Sequence, residues 1–295
     1  MGTVVEIRIS DPGANQYSDV VTAAFKEMER IENLMSPYVD GSDVQRLSDS
    51  GSPVAVSAET IEVLHVAARI ATESGGAFNA GIGRLIQLWG FAGGQPVVPE
   101  REMIDRALAG VEPGSVTVAD DGTVIKVSPH LAIDLGGIAK GYAIDRAVQI
   151  LADAGIRHAS VNAGGDMRLI GDRSGSPWRI GIQHPRQSGQ LLARLDLAGR
   201  AVVTSGDYER SFESGGILYH HLLDPRTGYP ARGCQAVTVV AENAAYADAL
   251  ATAVFVLGPE AGLELLRKSP AEGLIVAADG AVQVTDGLKE VVVWP

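Results

Sequence analysis

Residues 132–148, AIDLGGIAKGYAIDRAV, constrain the fold more than any other stretch of the chain. Apolar residues at the start favour a strand, three glycines follow closely, and the apolar spacing from Tyr142 onward is helical. The segment therefore predicts a strand, a glycine-rich turn and the start of a helix. Such a turn offers free backbone N–H groups and the positive end of a helix, which suit a phosphate or diphosphate.

Lys140 follows two of these glycines and adds a positive charge to the candidate anion site. The spacing fits neither the dinucleotide-binding GxGxxG pattern nor the Walker lysine loop. Two interpretations stay open at this point. Either the turn binds an anion, or it is a tight strand-to-helix connection whose lysine points into water.

Composition narrows the class of partner. The 295 residues, 46% of them hydrophobic, are enough for one large domain or for two closely packed halves. A formal net charge of −12 argues against a nucleic-acid partner and favours a cation or a small ligand. Cys234 is the only cysteine, which excludes an internal disulfide and a cysteine-based metal cluster.

No stretch of the sequence predicts a transmembrane segment. The longest apolar run, residues 244–257, is short and carries Asp248. The chain begins without a basic region followed by an apolar one, as a secretory signal would have. We therefore expect a soluble cytoplasmic protein, while a signal or lipoprotein anchor upstream of Met1 stays open.

Apolar periodicity predicts alternating helices and strands along the chain. Ser42 and Ser57 are candidate caps of two of the helices. The predicted helices are residues 17–35, a short one after Ser42, 59–72, 101–109, one from 142, 244–257 and 259–266. The predicted strands are residues 4–9, a hairpin over 116–127 that turns at Asp121-Gly122, 159–170, 178–183, 191–197, 201–204, 237–240, 273–278, 281–285 and 291–294.

Residues 75–94, GGAFNAGIGRLIQLWGFAGG, are rich in glycine and yet strongly apolar. A loop of this composition packs over another part of the protein. It either lines a pocket for a flat aromatic ligand or forms a buried connector, and both interpretations stay open.

The helix predicted over residues 244–257 carries two oxygen-bearing side chains. Asp248 and Thr252 are four residues apart and therefore share one face. A carboxylate and a hydroxyl at this spacing can hold a hard cation such as Mg²⁺. The alternative is a Thr252 that bonds its own backbone and an Asp248 that reaches solvent. The surrounding alanines argue against that exposure.

Two further stretches contain titratable residues. His221 precedes the turn DPRTGYP and is the best-placed group that titrates near neutral pH, which suits acid/base work or ligand orientation. Asp166 follows two glycines and is either a turn residue or a carboxylate that orients a ligand.

Taken in order, these motifs resemble the ApbE-like flavin transferases, also called FAD:protein FMN transferases. The resemblance covers nearly the whole chain, and the combination is specific although each motif alone is weak. The matching stretches are MGT (1–3), MSPYVDGSDVQRLS (35–48), GAFNAGIGRLIQLWGF (76–91), IDLGGIAKGYAID (133–145), VNAGGD (161–166), TSGDYER (204–210), YHHLLDPRTGYP (219–230) and ADALATAVFVLGPE (247–260).

The resemblance implies a single domain over residues 1–295 with an α+β fold of the T-fold type. Antiparallel sheets backed by helices and an internal duplication would give two packed halves. It also implies that FAD is the substrate, that Mg²⁺ is the metal, and that FMN moves to a threonine or serine hydroxyl of a target flavoprotein with release of AMP. A metal and backbone donors would stabilise the charge that develops on the diphosphate. An FAD pyrophosphatase and a non-catalytic FAD-binding protein are the alternatives.

The resemblance also implies residue roles. The metal ligands would be Asp248, Thr252 and the carbonyl of Ala139. We hypothesise that His221 deprotonates the incoming hydroxyl or orients the phosphate, with Asp248, Asp166 and Asp207 as rival bases. The residues expected to contact FAD are Met1, Ser42, Ala77, Phe78, Asn79, Gly136, Lys140, Tyr142, His221 and Leu222.

The chain departs from the family pattern at two positions. Asn79 stands where the family usually has aspartate, and an amide there carries no charge and cannot act as a base. Ser48 stands where the family often has asparagine. That position bears on the balance between transfer and hydrolysis of FAD.

Overall fold

Most of the strands that alternation predicts pair into one antiparallel sheet. The computed structural model describes residues 3–49, 51, 53–91 and 93–295. Its strands are β1 (Val5–Ile9), β2 (Val54–Ala55), β3 (Val116–Val118), β4 (Thr123–Lys126), β5 (Ala159–Ala163), β6 (Asp166–Ile170), β7 (Trp178–Gln183), β8 (Leu191–Leu197), β9 (Ala201–Gly206), β10 (Ser211–Ser214), β11 (Ile217–His220), β12 (Cys234–Ala241), β13 (Glu272–Ala277), β14 (Val282–Val284) and β15 (Val292–Val293).

Helices alternate with these strands. A 3₁₀ turn, Ala14–Tyr17, precedes the first helix. The helices are α1 (Ser18–Met35), α2 (Asp43–Asp49), α3 (Ala58–Glu73), α4 (Gly83–Leu88), α5 (Arg101–Leu108), α6 (Ala139–Asp153), α7 (Ala244–Leu257), α8 (Pro259–Lys268) and α9 (Asp286–Lys289).

The main sheet has the strand order β1-β5-β6-β9-β12-β13-β14, and its neighbouring strands are antiparallel. Smaller sheets join β7 and β8 to β15, β4 to β2 and β3, and β10 to β11. The fold is therefore a mixed α+β fold with antiparallel sheets backed by helices.

Helices pack on one face of the main sheet, and a smaller sheet packs on the other. In β12, Val237 and Val239 face the core that contains α1, α3, α6 and α7, whereas Ala236 and Val240 face the sheet of β7, β8 and β15. This is the two-residue alternation of a strand. Because both faces are covered, every residue of β12 is buried.

Helices α6 and α7 lie close together, and this contact positions the site described below. The Asp145 carboxylate on α6 accepts hydrogen bonds from Ala244 N and Ala245 N, each at 2.9 Å, at the start of α7. A Cβ at Gly141 would lie 2.8 Å from the Ala245 nitrogen and closer still to the Ala244 carbonyl, so only glycine allows this approach. The N-terminus of α7 is thereby fixed on the first turns of α6.

Several sequence predictions are confirmed. The helix predicted over 244–257 has those bounds. Ser57 caps α3 by accepting a hydrogen bond from Thr60 N at 3.2 Å. Ser42 does the same for α2 with Gln45 N at 3.0 Å. The hairpin that turns at Asp121-Gly122 is formed by β3 and β4.

The strand predicted before the glycine-rich turn is wrong. Around Ile133 the backbone bonds to different partners: Gly83 N donates to Ala132 O, Ile133 N donates to Ser48 Oγ, and Asp134 N donates to Ala80 O. These backbone groups are hydrogen-bonded without pairing to a neighbouring strand, apart from an isolated bridge between Ile82 and Ala132. The hairpin of β10 and β11 is not predicted by the sequence pattern.

In the described part of the chain, no helix has the length and apolar character needed to cross a membrane.

Candidate functional site

A cleft of about 820 Å³ lies where the turn before α6, α7, the end of β9 and the segment after β11 meet. The loop before α4 and the segment after α1 complete its walls. This volume lies within the range of small-molecule and cofactor sites. The motifs that the sequence analysis singled out therefore converge on one cavity.

Asp248 and Thr252 face this cleft from α7. Asp248 is 5% exposed, and its Oδ2 accepts a hydrogen bond from Gly141 N at 3.1 Å. Its Oδ1 accepts none from a described residue. Thr252 Oγ1 lies 3.4 Å from Ser205 Oγ. The alternative of a solvated Asp248 is thus excluded.

Burial raises the pKa of Asp248 to about 7, although the Lys140 charge opposes this and the Asp166 charge adds to it. The carboxylate is short of compensating positive charge. Among the described residues, no cluster of three or more histidine, cysteine or acidic side chains is arranged to hold a metal. A cation here would therefore depend on one carboxylate together with hydroxyl and carbonyl oxygens.

Lys140 reaches the cleft from the first turn of α6 and forms an ion pair with Asp166. Burial alone would lower the pKa of Lys140, but the Asp166 and Asp248 charges raise it above its usual value. The interpretation of a lysine that merely points into water is therefore wrong. Asp166 is 2% exposed and acts as an ion-pair partner rather than as an exposed turn residue.

Two carbonyls of the glycine-rich turn differ in availability. Ala139 is the first residue of α6, and its carbonyl belongs to the hydrogen-bond ladder of the helix. Gly137 lies before the helix, next to Thr252: a Cβ at Gly137 would be 3.1 Å from Thr252 Oγ1. Because Gly141 N donates to Asp248 instead, the Gly137 carbonyl accepts no hydrogen bond from a described residue.

The glycine-rich apolar loop combines both of its sequence interpretations. Ala77, Phe78 and Asn79 line the cleft, and Asn79 Oδ1 accepts a hydrogen bond from Gly81 N at 2.8 Å. Trp89 is fully buried behind them and donates from Nε1 to Gly228 O at 2.8 Å. The loop is therefore one wall of the cleft, anchored by a buried connector.

His221 and Leu222 lie on the opposite wall. His221 Nδ1 is 3.4 Å from Arg210 O, and its ring lies edge-on to Phe91. Burial, followed by the positive charge of Arg210, lowers the pKa of His221 to about 3. The expectation that this histidine titrates near neutral pH is wrong here, because a desolvated imidazole beside a cation stays neutral.

Some of the expected contact residues are not on the cleft surface. Ser42 is buried behind it, where its hydroxyl donates to Ser36 O at 2.7 Å. Tyr142 donates from its hydroxyl to Glu62 at 2.5 Å. The hydroxyl of Ser48, one of the two departures from the family pattern, donates to Val44 O at 2.8 Å and accepts from Ile133 N at 3.0 Å. Met1 lies outside the described residues. Gly136 does line the cleft.

The structure also revises the rival bases. Asp207 makes a two-pronged ion pair with Arg186, at 2.7 and 2.6 Å, and does not line the cleft. Sequence reasoning missed Tyr38, Asp134 and Arg210, which do line it. All three lie inside stretches that carry the family resemblance, but their residue types are ordinary for loops, and only the fold shows that they face the cleft.

Comparisons with known proteins point to one family. The ApbE family model matches residues 1–275. The FAD:protein FMN transferase of Vibrio cholerae is 34% identical over 300 residues, which span 98% of this chain and 87% of that protein. The crystal structure of an ApbE protein from Thermotoga maritima superposes with a TM-score of 0.91 at 40% identity, covering 98% of this chain and 96% of that one. The structure of the flavin transferase ApbE from Vibrio cholerae superposes with a TM-score of 0.89 at 31% identity, covering 99% and 96%.

Proposed function

The chain belongs to the ApbE family, and from this we propose that it is an FAD:protein FMN transferase. It would transfer FMN from FAD to a threonine or serine hydroxyl of a target flavoprotein and release AMP. The observation that carries the proposal is the single cleft in which Asp248, Thr252, Lys140 and His221 meet. These groups supply what diphosphate cleavage needs, namely charge stabilisation and a proton acceptor.

Mg²⁺ fits the oxygen atoms at the floor of this cleft. The free Oδ1 of buried Asp248, the Thr252 hydroxyl and one main-chain carbonyl are donors of the type that Mg²⁺ prefers. The carbonyl of Ala139, the third ligand that the resemblance implies, and the unbonded carbonyl of Gly137 are the two candidates for the main-chain donor, and both residues line the cleft. When bound, the ion would neutralise negative charge on the diphosphate.

The remaining chemistry falls to the protein's own groups. Lys140, in the first turn of α6, lines the cleft and would meet the diphosphate with its positive charge at the N-terminal end of the helix. Gly136 also lines the cleft, but its N–H already donates to Asp134 Oδ1 at 2.8 Å. The acceptor hydroxyl oxygen forms a new bond to the phosphorus of the FMN portion, the bond from that phosphorus to the AMP oxygen breaks, and AMP leaves.

His221 is our candidate acceptor of the hydroxyl proton. A carbonyl oxygen can only accept, so the contact with Arg210 O places the ring proton on Nδ1 and leaves the Nε2 lone pair free. A neutral imidazole can take up a proton at pH 7. A bound diphosphate would raise the pKa of His221 from about 3, because a nearby anion stabilises the imidazolium.

Three finer proposals rest on the family resemblance. The fold would be of the T-fold type with an internal duplication, and residues 1–295 would form one domain of two packed halves. A cytoplasmic location stays a prediction from the sequence.

Mass spectrometry of a threonine-containing target domain tests the function. The domain is incubated with this protein, FAD and Mg²⁺, and the nucleotides are separated by chromatography. A mass gain that matches FMN, together with AMP, is the expected result. Free FMN and AMP beside an unmodified target would instead indicate a pyrophosphatase, and intact FAD would indicate a binding protein.

A further inference from the structure

We propose that Asp166 is a positioning residue of the cleft. Its carboxylate holds the Lys140 ammonium, and this keeps Asp248 available to a divalent cation. The inference rests on the proposed function, because it takes Asp248 as a cation ligand. It assigns Asp166 neither proton transfer nor contact with substrate.

Both carboxylate oxygens of Asp166 have partners, which fixes the side chain in one orientation. Oδ1 accepts a hydrogen bond from Thr204 N on β9 at 3.0 Å, and Oδ2 is the partner of Lys140. The Gly164-Gly165 turn, with φ angles of 64° and 101°, returns the chain directly into β6 and places Asp166 at its first residue. Asp166 therefore lies on β6, is hydrogen-bonded to β9 and forms an ion pair with Lys140.

Lys140 has a choice of negative partners within the cleft. Its side chain is 29% exposed. Besides Asp166, the carboxylates that raise its pKa are Asp248 and Glu209. Both line the same cleft as Lys140, and the N–H of the next residue, Gly141, donates to Asp248. Asp248 is buried and has an oxygen without a hydrogen bond from a described residue, whereas Glu209 is exposed. An ammonium interacts more strongly with a carboxylate that is already buried than with an exposed one, because the effective dielectric constant there is lower. Without the Asp166 charge, Lys140 would therefore pair with Asp248.

That new pair would compete with a cation for the same oxygen. A divalent ion would then have to displace the ammonium before it could bind. Partners outside the ligand set typically change metal affinity by about 10- to 100-fold. We expect the Asp166→Asn protein to bind Mg²⁺ at least about tenfold more weakly. Asparagine keeps the shape of the side chain and an oxygen that can accept from Thr204 N.

A double-mutant cycle separates this mechanism from a simple loss of charge. Mg²⁺ affinity is measured by calorimetry, without FAD, on the wild type, Asp166→Asn, Lys140→Met and the double variant. A loss of negative charge acting through space would weaken binding by the same factor with either residue at position 140. If Lys140 competes with the cation, Asp166→Asn weakens Mg²⁺ binding strongly when residue 140 is lysine and only slightly when it is methionine.

Asp207→Asn is the matched control, because it removes another buried carboxylate that pairs with a cation outside the cleft. It should leave Mg²⁺ affinity unchanged. Thermal unfolding checks that each variant is folded.

We expect Asp166→Asn to weaken Mg²⁺ binding at least about tenfold with Lys140 present and less than about threefold with methionine there. Equal factors in both backgrounds, or no effect of Asp166→Asn, would overturn the inference while leaving the proposed function intact. Absence of Mg²⁺ binding that depends on Asp248, shown with Asp248→Ala, would overturn both.

Discussion

Gly141→Ala tests whether the contact between α6 and α7 builds the site. An added Cβ would lie 2.8 Å from the Ala245 nitrogen and closer to the Ala244 carbonyl. These are backbone atoms at the start of a helix, so they cannot rotate away as a side chain would. The two helices must separate, and the hydrogen bond from Gly141 N to Asp248 must stretch.

Two opposing effects set the magnitude. Overpacking costs about 1–3 kcal/mol, and the clash with rigid backbone places this case at the upper end. Replacing glycine by alanine inside a helix contributes about 0.5–1 kcal/mol in the other direction. The net loss is about 2 kcal/mol, which corresponds to a fall in Tm of roughly 4–8 °C for a large domain.

Urea and thermal unfolding, with calorimetry of Mg²⁺ binding, provide the assay for this variant. We expect lower stability together with weaker Mg²⁺ binding, because Asp248 shifts with α7. Gly51→Ala is the control, since, apart from its chain neighbours, no described residue has an atom within 4 Å of a Cβ there. It should change stability by no more than about 1 kcal/mol. If Gly141→Ala raised Tm, as an ordinary helical glycine would, our account of this contact would be refuted.

Three other predictions follow from individual contacts. Burial raises the pKa of Asp248 to about 7, and Mg²⁺ binds the carboxylate, so Mg²⁺ affinity should rise about tenfold per pH unit up to pH 7 and then level off. A calorimetric affinity that does not change with pH would contradict this. His221→Ala should slow FMN transfer while equilibrium FAD binding is largely kept; an unchanged rate would remove His221 from the mechanism. Trp89→Phe leaves the buried Gly228 carbonyl without its donor and should lower the free energy of unfolding by about 1–3 kcal/mol. Urea denaturation measures this loss, and an unchanged free energy of unfolding would show that another donor replaces Trp89.

Local patterns predicted much of the fold. The bounds of α7 were predictable because an apolar run lies between the Asn243 cap and Gly258 at its C-terminal end. The α3 cap was predictable because Ser57, a residue type that favours the N-cap, stands directly before a helical pattern. The false strand near Ile133 shows the limit of such patterns. Its apolar residues are buried, but its backbone partners come from two separate segments, α2 and residues 80–83 at the start of α4.

The candidate site was predictable only in part. Asp248 and Thr252 were found because helical spacing places them on one face. By contrast, the bond from Gly141 N to Asp248 joins residues 107 positions apart, and the ion pair of Lys140 with Asp166 joins a helix to a strand. Such partners, and the shifts in pKa that they and burial cause, depend on the folded chain. The neutral state of His221 has the same origin.

The most direct test of the central claim is Mg²⁺-dependent transfer by the wild type and by Asp248→Ala, measured on the same target domain. Flavin on the target is quantified by mass spectrometry, and AMP is quantified by chromatography. The account predicts that the wild type yields FMN-modified target with an equal amount of AMP, and that Asp248→Ala yields neither while its unfolding remains cooperative. Full transfer activity in a folded Asp248→Ala protein would contradict the claim that this cleft holds the metal.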